Sequence, residues 1–272
     1  MTSLISIKNH KTKNPEPETF NAGEKLNAAL PDLKDTNIIN VSSNKGGVGK
    51  TSLAVTAGIY FSGIKNEPTI LLELDSSPGD FSILFDIEPD KTLEMAIRFP
   101  EQFHKYTKKI GDNIDVLGGI TNPVAAEKVK RKDFYDLLIL LGKEYKNIII
   151  DTQTVINGLM IDAYLLSDKI ILITDYTIES TGRILALYNI LIKDLSIPRD
   201  RIDLIVNKKK IFDFLKIWDY TKIAGIPLAG FISFDKKFSK SFFLANYKRV
   251  YRTRFYKQFK RFIENESGEQ VP

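Results

Sequence analysis

Nine residues, Asn44 to Ser52, read Asn-Lys-Gly-Gly-Val-Gly-Lys-Thr-Ser. Three glycines between two lysines, closed by two hydroxyl residues, suit the binding of phosphate. Gly46, Gly47 and Gly49 let successive backbone N–H groups curl around phosphate oxygens with no Cβ in the way. Val48 and Ser52 complete the cradle. Lys50 supplies a cation for β- and γ-phosphates, and the Thr51 hydroxyl a ligand for Mg²⁺. Such a loop needs a strand that delivers it and a helix whose free N–H groups face the same anion. Both are present, as the apolar run Ile38-Ile39-Asn40-Val41 before the loop and a helical stretch from Leu53 to Ile59 after it.

Two further apolar runs end in carboxylates. Leu71-Leu72-Glu73-Leu74-Asp75 leads into a turn, and Ile148-Ile149-Ile150-Asp151 precedes Thr152-Gln153. In open α/β sheets, ligands bind beyond the carboxyl ends of strands, which is where Asp75 and Asp151 fall. Asp151 closing an apolar strand can hold Mg²⁺ directly or through water. Asp75 taken alone is more often a helix cap or turn residue, and the phosphate loop shifts it toward a role in the site.

The elements that must position these groups alternate regularly. Strands are predicted at Ile38–Ser42, Thr69–Leu74, Ile114–Leu117, Ile148–Asp151, Lys169–Thr174, Ile202–Val206 and Leu228–Ile232. Helices are predicted at Thr51–Tyr60, Leu93–Phe99, Lys132–Lys143, Leu159–Leu166, Ser180–Leu195 and Phe212–Ala224. The fold class is α/β, a doubly wound, mostly parallel sheet flanked by helices in one domain over residues 37–264. Residues 1–36 are polar, with Pro15, Pro17 and Pro31, and are expected to be a flexible arm with a short helix near Glu24–Leu30. Residues 265–272 are expected to be a disordered tail.

At 272 residues with 43% hydrophobic and 27% charged content, the chain has the composition of a soluble globular protein. Without cysteine it has no disulfide, thiolate metal site or cysteine nucleophile, and a cytoplasmic location is expected. His10 and His104 lie apart in polar stretches and are read as surface residues. No signal peptide and no membrane-spanning run is recognised.

The glycine expected at position 44 of the common phosphate loop is replaced by asparagine, and Lys45 precedes the double glycine. This Lys-Gly-Gly-x-Gly-Lys-Thr form resembles the deviant Walker A box of the MinD/ParA ATPases. The resemblance extends through Asp75, Asp151 and Asn207-Lys208 at the end of Ile202–Val206. Finer features, Pro78-Gly79-Asp80 and Gly118-Gly119-Ile120 among them, look most like the CpaE/TadZ branch. It implies a P-loop NTPase that binds ATP and Mg²⁺, forms a homodimer on ATP and hydrolyses it slowly. Lys45 would reach the partner's nucleotide, Asp75 would orient the attacking water, and Asn207 would read adenine, whose N6/N7 edge an amide can pair. Glu73 and Gln153 depart from the family's usual aspartate and proline. They keep open a nucleotide-holding module with little turnover, and a small-molecule kinase or amidoligase is a further alternative.

Charge is asymmetric. The chain is net +5, yet Lys236 to Ile263 holds ten Lys/Arg and no Asp or Glu, so the remainder is net acidic. From Tyr247 onward, Val250, Tyr251, Phe255, Phe259 and Phe262 recur at helical spacing, which predicts a docked terminal helix with a basic outer face. Arg249, Arg252, Lys257 and Lys260 on that face are candidate contacts for non-specific DNA. A membrane is the less favoured partner, since no amphipathic segment follows. The resemblance also implies a partner protein that stimulates hydrolysis or serves as cargo.

Overall fold

The computed structural model describes residue 33 and residues 35–75, 79–120, 129–209, 225–243 and 247–264. Eight strands form one sheet: β1 (Asn37–Ser42), β2 (Thr69–Leu74), β3 (Lys108–Gly111), β4 (Ile114–Leu117), β5 (Asn147–Thr152), β6 (Lys169–Thr174), β7 (Ile202–Lys209) and β8 (Leu228–Ser233). Their order is β3-β4-β2-β5-β1-β6-β7-β8, and only the β3–β4 pair is antiparallel. β1, β2, β5 and β6 are buried over nearly their whole length, which is why they read as Ile/Leu/Val runs rather than alternating ones.

The flanking helices are α1 (Lys50–Ile59), α2 (Asp80–Phe85), α3 (Leu93–Arg98), α4 (Arg131–Glu144), α5 (Gly158–Leu166), α6 (Ile178–Asn189), α7 (Lys236–Phe243), α8 (Tyr247–Val250) and α9 (Arg254–Glu264). On one face Leu53, Ala54 and Ala57 of α1 pack with Ile39, Val41, Ile149 and Ile173, and Phe255 and Phe259 of α9 join the same cluster. The other face carries two clusters, one under α3 and α4 and one under α5 and α6.

The chain passes from β1 over β5 to β2, and later from β5 over β1 to β6. That reversal opens a crevice at the carboxyl ends of β1 and β5, the place where doubly wound sheets bind ligands. Side chains pin the two ends together. Thr152 Oγ1 donates to the Val41 carbonyl at 2.9 Å, and Ser42 Oγ lies 2.6 Å from the Tyr164 hydroxyl.

The expected strands are all present, with β5, β7 and β8 somewhat longer than read. The continuous terminal helix is not. Tyr247–Val250 and Arg254–Glu264 are separate, because Thr253 Oγ1 accepts Tyr256 N at 3.2 Å and so starts a new helix. Asp235 fixes this arrangement. Its Oδ1 accepts Lys237 N and Phe238 N at the start of α7, and its Oδ2 accepts Arg254 N and Phe255 N at the start of α9. Burial raises the Asp235 carboxyl, but these four N–H groups outweigh it and hold it below its ordinary value. The α6 helix starts earlier than read, capped by Thr177, and ends in a π-turn at Ile190–Asp194. The helices read at Glu24–Leu30 and Phe212–Ala224, the tail at 265–272, His10 and nearly all of the arm lie outside the described residues. His104 is exposed, its Nε2 2.9 Å from Glu144 Oε1. Among the described residues no helix is long and apolar enough to cross a membrane.

Candidate functional site

The loop between β1 and α1 closes on glycine geometry. Gly47 has φ +73° and Gly49 φ +107°, backbone conformations that side chains rarely adopt. At Gly49 a Cβ would also lie 2.5 Å from Asn207 Nδ2. Gly49 is the N-cap of α1, and no side chain caps that helix. The first N–H groups of α1 and the positive end of its dipole therefore face the loop.

Behind the loop stands Asn207, only 4% exposed at the end of β7. Its Nδ2 donates to Val48 O at 2.8 Å, its Oδ1 accepts Lys208 N at 2.7 Å, and Lys208 Nζ donates to Gly47 O. Asn207 and Lys208 thus brace the 44–52 loop. Each end of the Asn207 amide, the group read for adenine, makes one of these bonds.

Lys45 also has a partner in its own chain. Its Nζ is 2.7 Å from Thr177 Oγ1 and within 3.4 Å of both Asp175 oxygens. Asn44 locks the loop to α6, donating to Arg183 O at 2.7 Å while Arg183 donates back to Asn44 O.

Lys50, Thr51 and three aspartates converge at the crevice. Burial lowers the Lys50 ammonium from its ordinary value, opposed by the nearby charges of Asp151, Asp75 and Asp80. Asp151, at the end of β5, is 3% exposed. Burial pushes its carboxyl up to about 8, opposed by a hydrogen bond from Thr51 and by Lys50, while Glu73 and Asp80 push the same way as burial. Asp151 Oδ1 is fully buried and has no hydrogen-bond partner. Thr51 Oγ1 also lies 3.2 Å from Asp80 Oδ2.

Glu73 has a different task from Asp75. It is 2% exposed, and its two oxygens accept Phe81 N at 3.1 Å and Gly119 N at 2.9 Å. Ile120 N donates to Asp75 O at 3.0 Å beside it. The carboxylate therefore bolts the start of α2 to the chain that leaves β4. A Cβ at Gly79 would sit 2.2 Å from the Glu73 carboxyl carbon, so only glycine allows that closeness. Burial pushes Glu73 up to about 7, the two N–H bonds opposing. Gln153 Nε2 donates to Val155 O at 2.9 Å.

These residues fit a phosphate chain and a divalent cation. Glycine N–H groups and Lys50 suit phosphate oxygens, and the orphaned Asp151 oxygen beside the Thr51 hydroxyl suits a hard cation. Among the described residues no group of three or more His, Cys, Asp or Glu forms a cage on its own. Mg²⁺ takes one or two carboxylates and completes its shell with phosphates and water.

Solved structures share this architecture. A ParA family ATPase from Chlorobium tepidum superposes with TM-score 0.72 at 16% identity, covering 82% of this chain and 97% of that one. The septum site-determining protein MinD from Pyrococcus horikoshii, solved with Mg-ADP, superposes with TM-score 0.69 at 18% identity, over 85% and 96% of the two chains. The fold is that of the ParA and MinD ATPases. A plasmid partition protein from Borrelia burgdorferi bound to AMPPNP shares this ParA/MinD fold, with TM-score 0.67, 21% identity and coverage of 84% and 97%. No protein-family model matches the sequence, and no curated protein matches it either.

Sequence reasoning located Lys45, Gly46, Gly47, Val48, Gly49, Lys50, Thr51, Ser52, Asp75 and Asp151 on the loop, the first turn of α1 and the ends of β2 and β5, and the structure gathers these elements at one crevice. It missed Asp175 and Thr177 as partners of Lys45. It also missed Asp80, whose signal was only an acidic residue at a predicted turn. On the basic surface, Arg249, Arg252 and Lys257 are exposed with no acidic partner among the described residues. Lys260 differs, being half-buried with its Nζ 3.7 Å from Glu264 Oε1.

Proposed function

We propose that this chain is a MinD/ParA-type ATPase that binds Mg·ATP at the 44–52 loop, dimerises on it and hydrolyses it slowly. The observation carrying this reading is the uncapped N-terminus of α1, opened by Gly49 and faced by Lys50, Thr51 and the orphaned carboxylate of Asp151. The bound nucleotide supplies the phosphoryl group and its leaving group. Gly46, Gly47, Val48, Gly49, Lys50 and Ser52 bind its phosphates, and Thr51 and Asp151 would hold Mg²⁺. Asp75 orients water, and Asn207, which braces the loop, borders the base. Phosphoryl transfer asks for positioning and charge neutralisation more than covalent chemistry, which this set of residues can provide.

Lys45 gives the dimer its logic. Two nucleotide anions facing each other repel unless cations bridge them, and a lysine released from Asp175 can do so across the interface. Proteins of this fold include ones named for plasmid partition and septum-site determination. The output proposed here is likewise positional, with a DNA segment or an assembly as cargo and a partner protein to stimulate turnover. Exposed Arg249, Arg252 and Lys257, joined by Lys260, would grip DNA phosphates without reading sequence. Light scattering with non-hydrolysable ATP tests the dimer. Wild type should double in mass and Lys45→Ala should stay monomeric with nucleotide still bound. A Lys45→Ala dimer would rule out the trans lysine.

A further inference from the structure

We propose that Asp80, at the start of α2, is a second carboxylate of the divalent-cation site. This rests on the nucleotide reading above and assigns Asp80 a role within that site.

Two carboxylates compete for one hydroxyl. Thr51 has a single O–H proton to donate. Asp151 faces it from the end of β5 and Asp80 from the start of α2, the latter with its Oδ2 at 3.2 Å. One proton cannot satisfy both. Asp151 Oδ1 is itself buried with no hydrogen-bond partner. A divalent cation at the Thr51 oxygen would answer both carboxylates at once. Mg²⁺ commonly keeps several waters, so an acid can serve it directly or through one of them.

Asp80 is also held in place. Its neighbours Gly79 and Phe81 are fixed by Glu73, which accepts Phe81 N and leaves no room for a Cβ at Gly79. The same Glu73 accepts Gly119 N, so the start of α2 is anchored beside the chain that leaves β4. The aspartate thus reaches Thr51 from an element separate from the strand that carries Asp151. Binding a cation at both carboxylates would link the start of α2 to α1 and β5.

Asp80→Asn is the informative variant, because an amide oxygen still accepts from Thr51 while the charge is gone. Mn²⁺ binding to the full chain, saturated with a non-hydrolysable ATP analogue, is measured from the free-ion electron paramagnetic resonance signal. Binding of a fluorescent nucleotide without metal is measured in parallel. The expected result is Mn²⁺ affinity weakened roughly 10- to 100-fold, the range for removal of a carboxylate partner around a metal, with metal-free nucleotide binding unchanged. Asp80→Ser, read the same way, guards against a folding defect of either variant. Mn²⁺ affinity within twofold of wild type in both variants overturns the proposal and leaves the nucleotide site standing. Wild type that binds no nucleotide overturns both.

Discussion

Lys45 Nζ sits 3.3 Å from Asp175 Oδ1 and 2.7 Å from Thr177 Oγ1, so the lysine read as reaching a second copy is neutralised by its own chain. Burial raises the Asp175 carboxyl, but hydrogen bonds from Ser180, Thr177 and Lys45 outweigh it and hold it below its ordinary value. Breaking this pair opposes any trans contact. A partly exposed pair of this kind is worth up to about 1 kcal/mol. Two such pairs break per dimer, so Asp175→Asn should dimerise on an ATP analogue at protein concentrations up to about thirtyfold lower than wild type. Sedimentation equilibrium reads the midpoint directly, and an unchanged midpoint means the pair is no brake.

Glu73 sets up a pH dependence. Its carboxyl is pushed up to about 7 from an ordinary 4.5, burial being the largest cause. A folded value above the unfolded one means the stabilising contribution is complete below about 4.5 and is lost as pH rises through about 7. Relative to Glu73→Gln, which does not titrate, wild type should lose stability between pH 5 and pH 8. Urea melts of both proteins at the two pH values check the sign. Glu73→Ala should be worse at either pH, since two buried N–H groups then lack an acceptor at about 1–3 kcal/mol each.

Gly49→Ala combines two faults, a φ of +107° and a methyl group 2.5 Å from Asn207 Nδ2. Strain of this kind costs on the order of 1–3 kcal/mol. The variant should melt earlier and lose nucleotide. Adding Asn207→Ala makes room for the methyl but leaves the backbone strain, so the double variant should recover part of the stability and little of the binding. Full recovery of both would show that φ does not matter here.

The central strands were legible because β1, β2, β5 and β6 are buried on both faces and had to be apolar throughout. β3, Lys-Lys-Ile-Gly, was not, since an antiparallel edge strand needs no such run. The phosphate loop declares itself because its chemistry is local, set by glycines and lysines adjacent in sequence. Partners distant in sequence gave no signal. Asp175 lies 130 residues from Lys45 and Asp80 29 residues from Thr51, and only the fold brings them together. The terminal helix was read as continuous because its aromatic spacing is regular across Tyr251–Thr253. The break follows from Asp235 and Thr253 capping a fresh start at Arg254, an interaction that periodicity does not encode.

Arg249, Arg252 and Lys257 are exposed on a segment held down by Phe255 and Phe259, each contributing roughly 1.5–3 kcal/mol through burial. Reversing the three charges should leave the fold intact. It should weaken binding of duplex DNA by the ATP-analogue form and lower the log–log salt slope by roughly 0.9 for each phosphate no longer neutralised. Fluorescence anisotropy across a salt series measures the slope, and a slope equal to that of wild type places DNA elsewhere or nowhere.

The central claim is that the 44–52 loop and its carboxylates turn over Mg·ATP. Phosphate release from ATP, followed continuously with and without Mg²⁺, addresses it in wild type, Lys50→Ala and Asp75→Ala. Wild type should release phosphate slowly and only with Mg²⁺. Lys50→Ala should release none because nucleotide no longer binds, and Asp75→Ala none although nucleotide still does. Release by Lys50→Ala at the wild-type rate would contradict the claim.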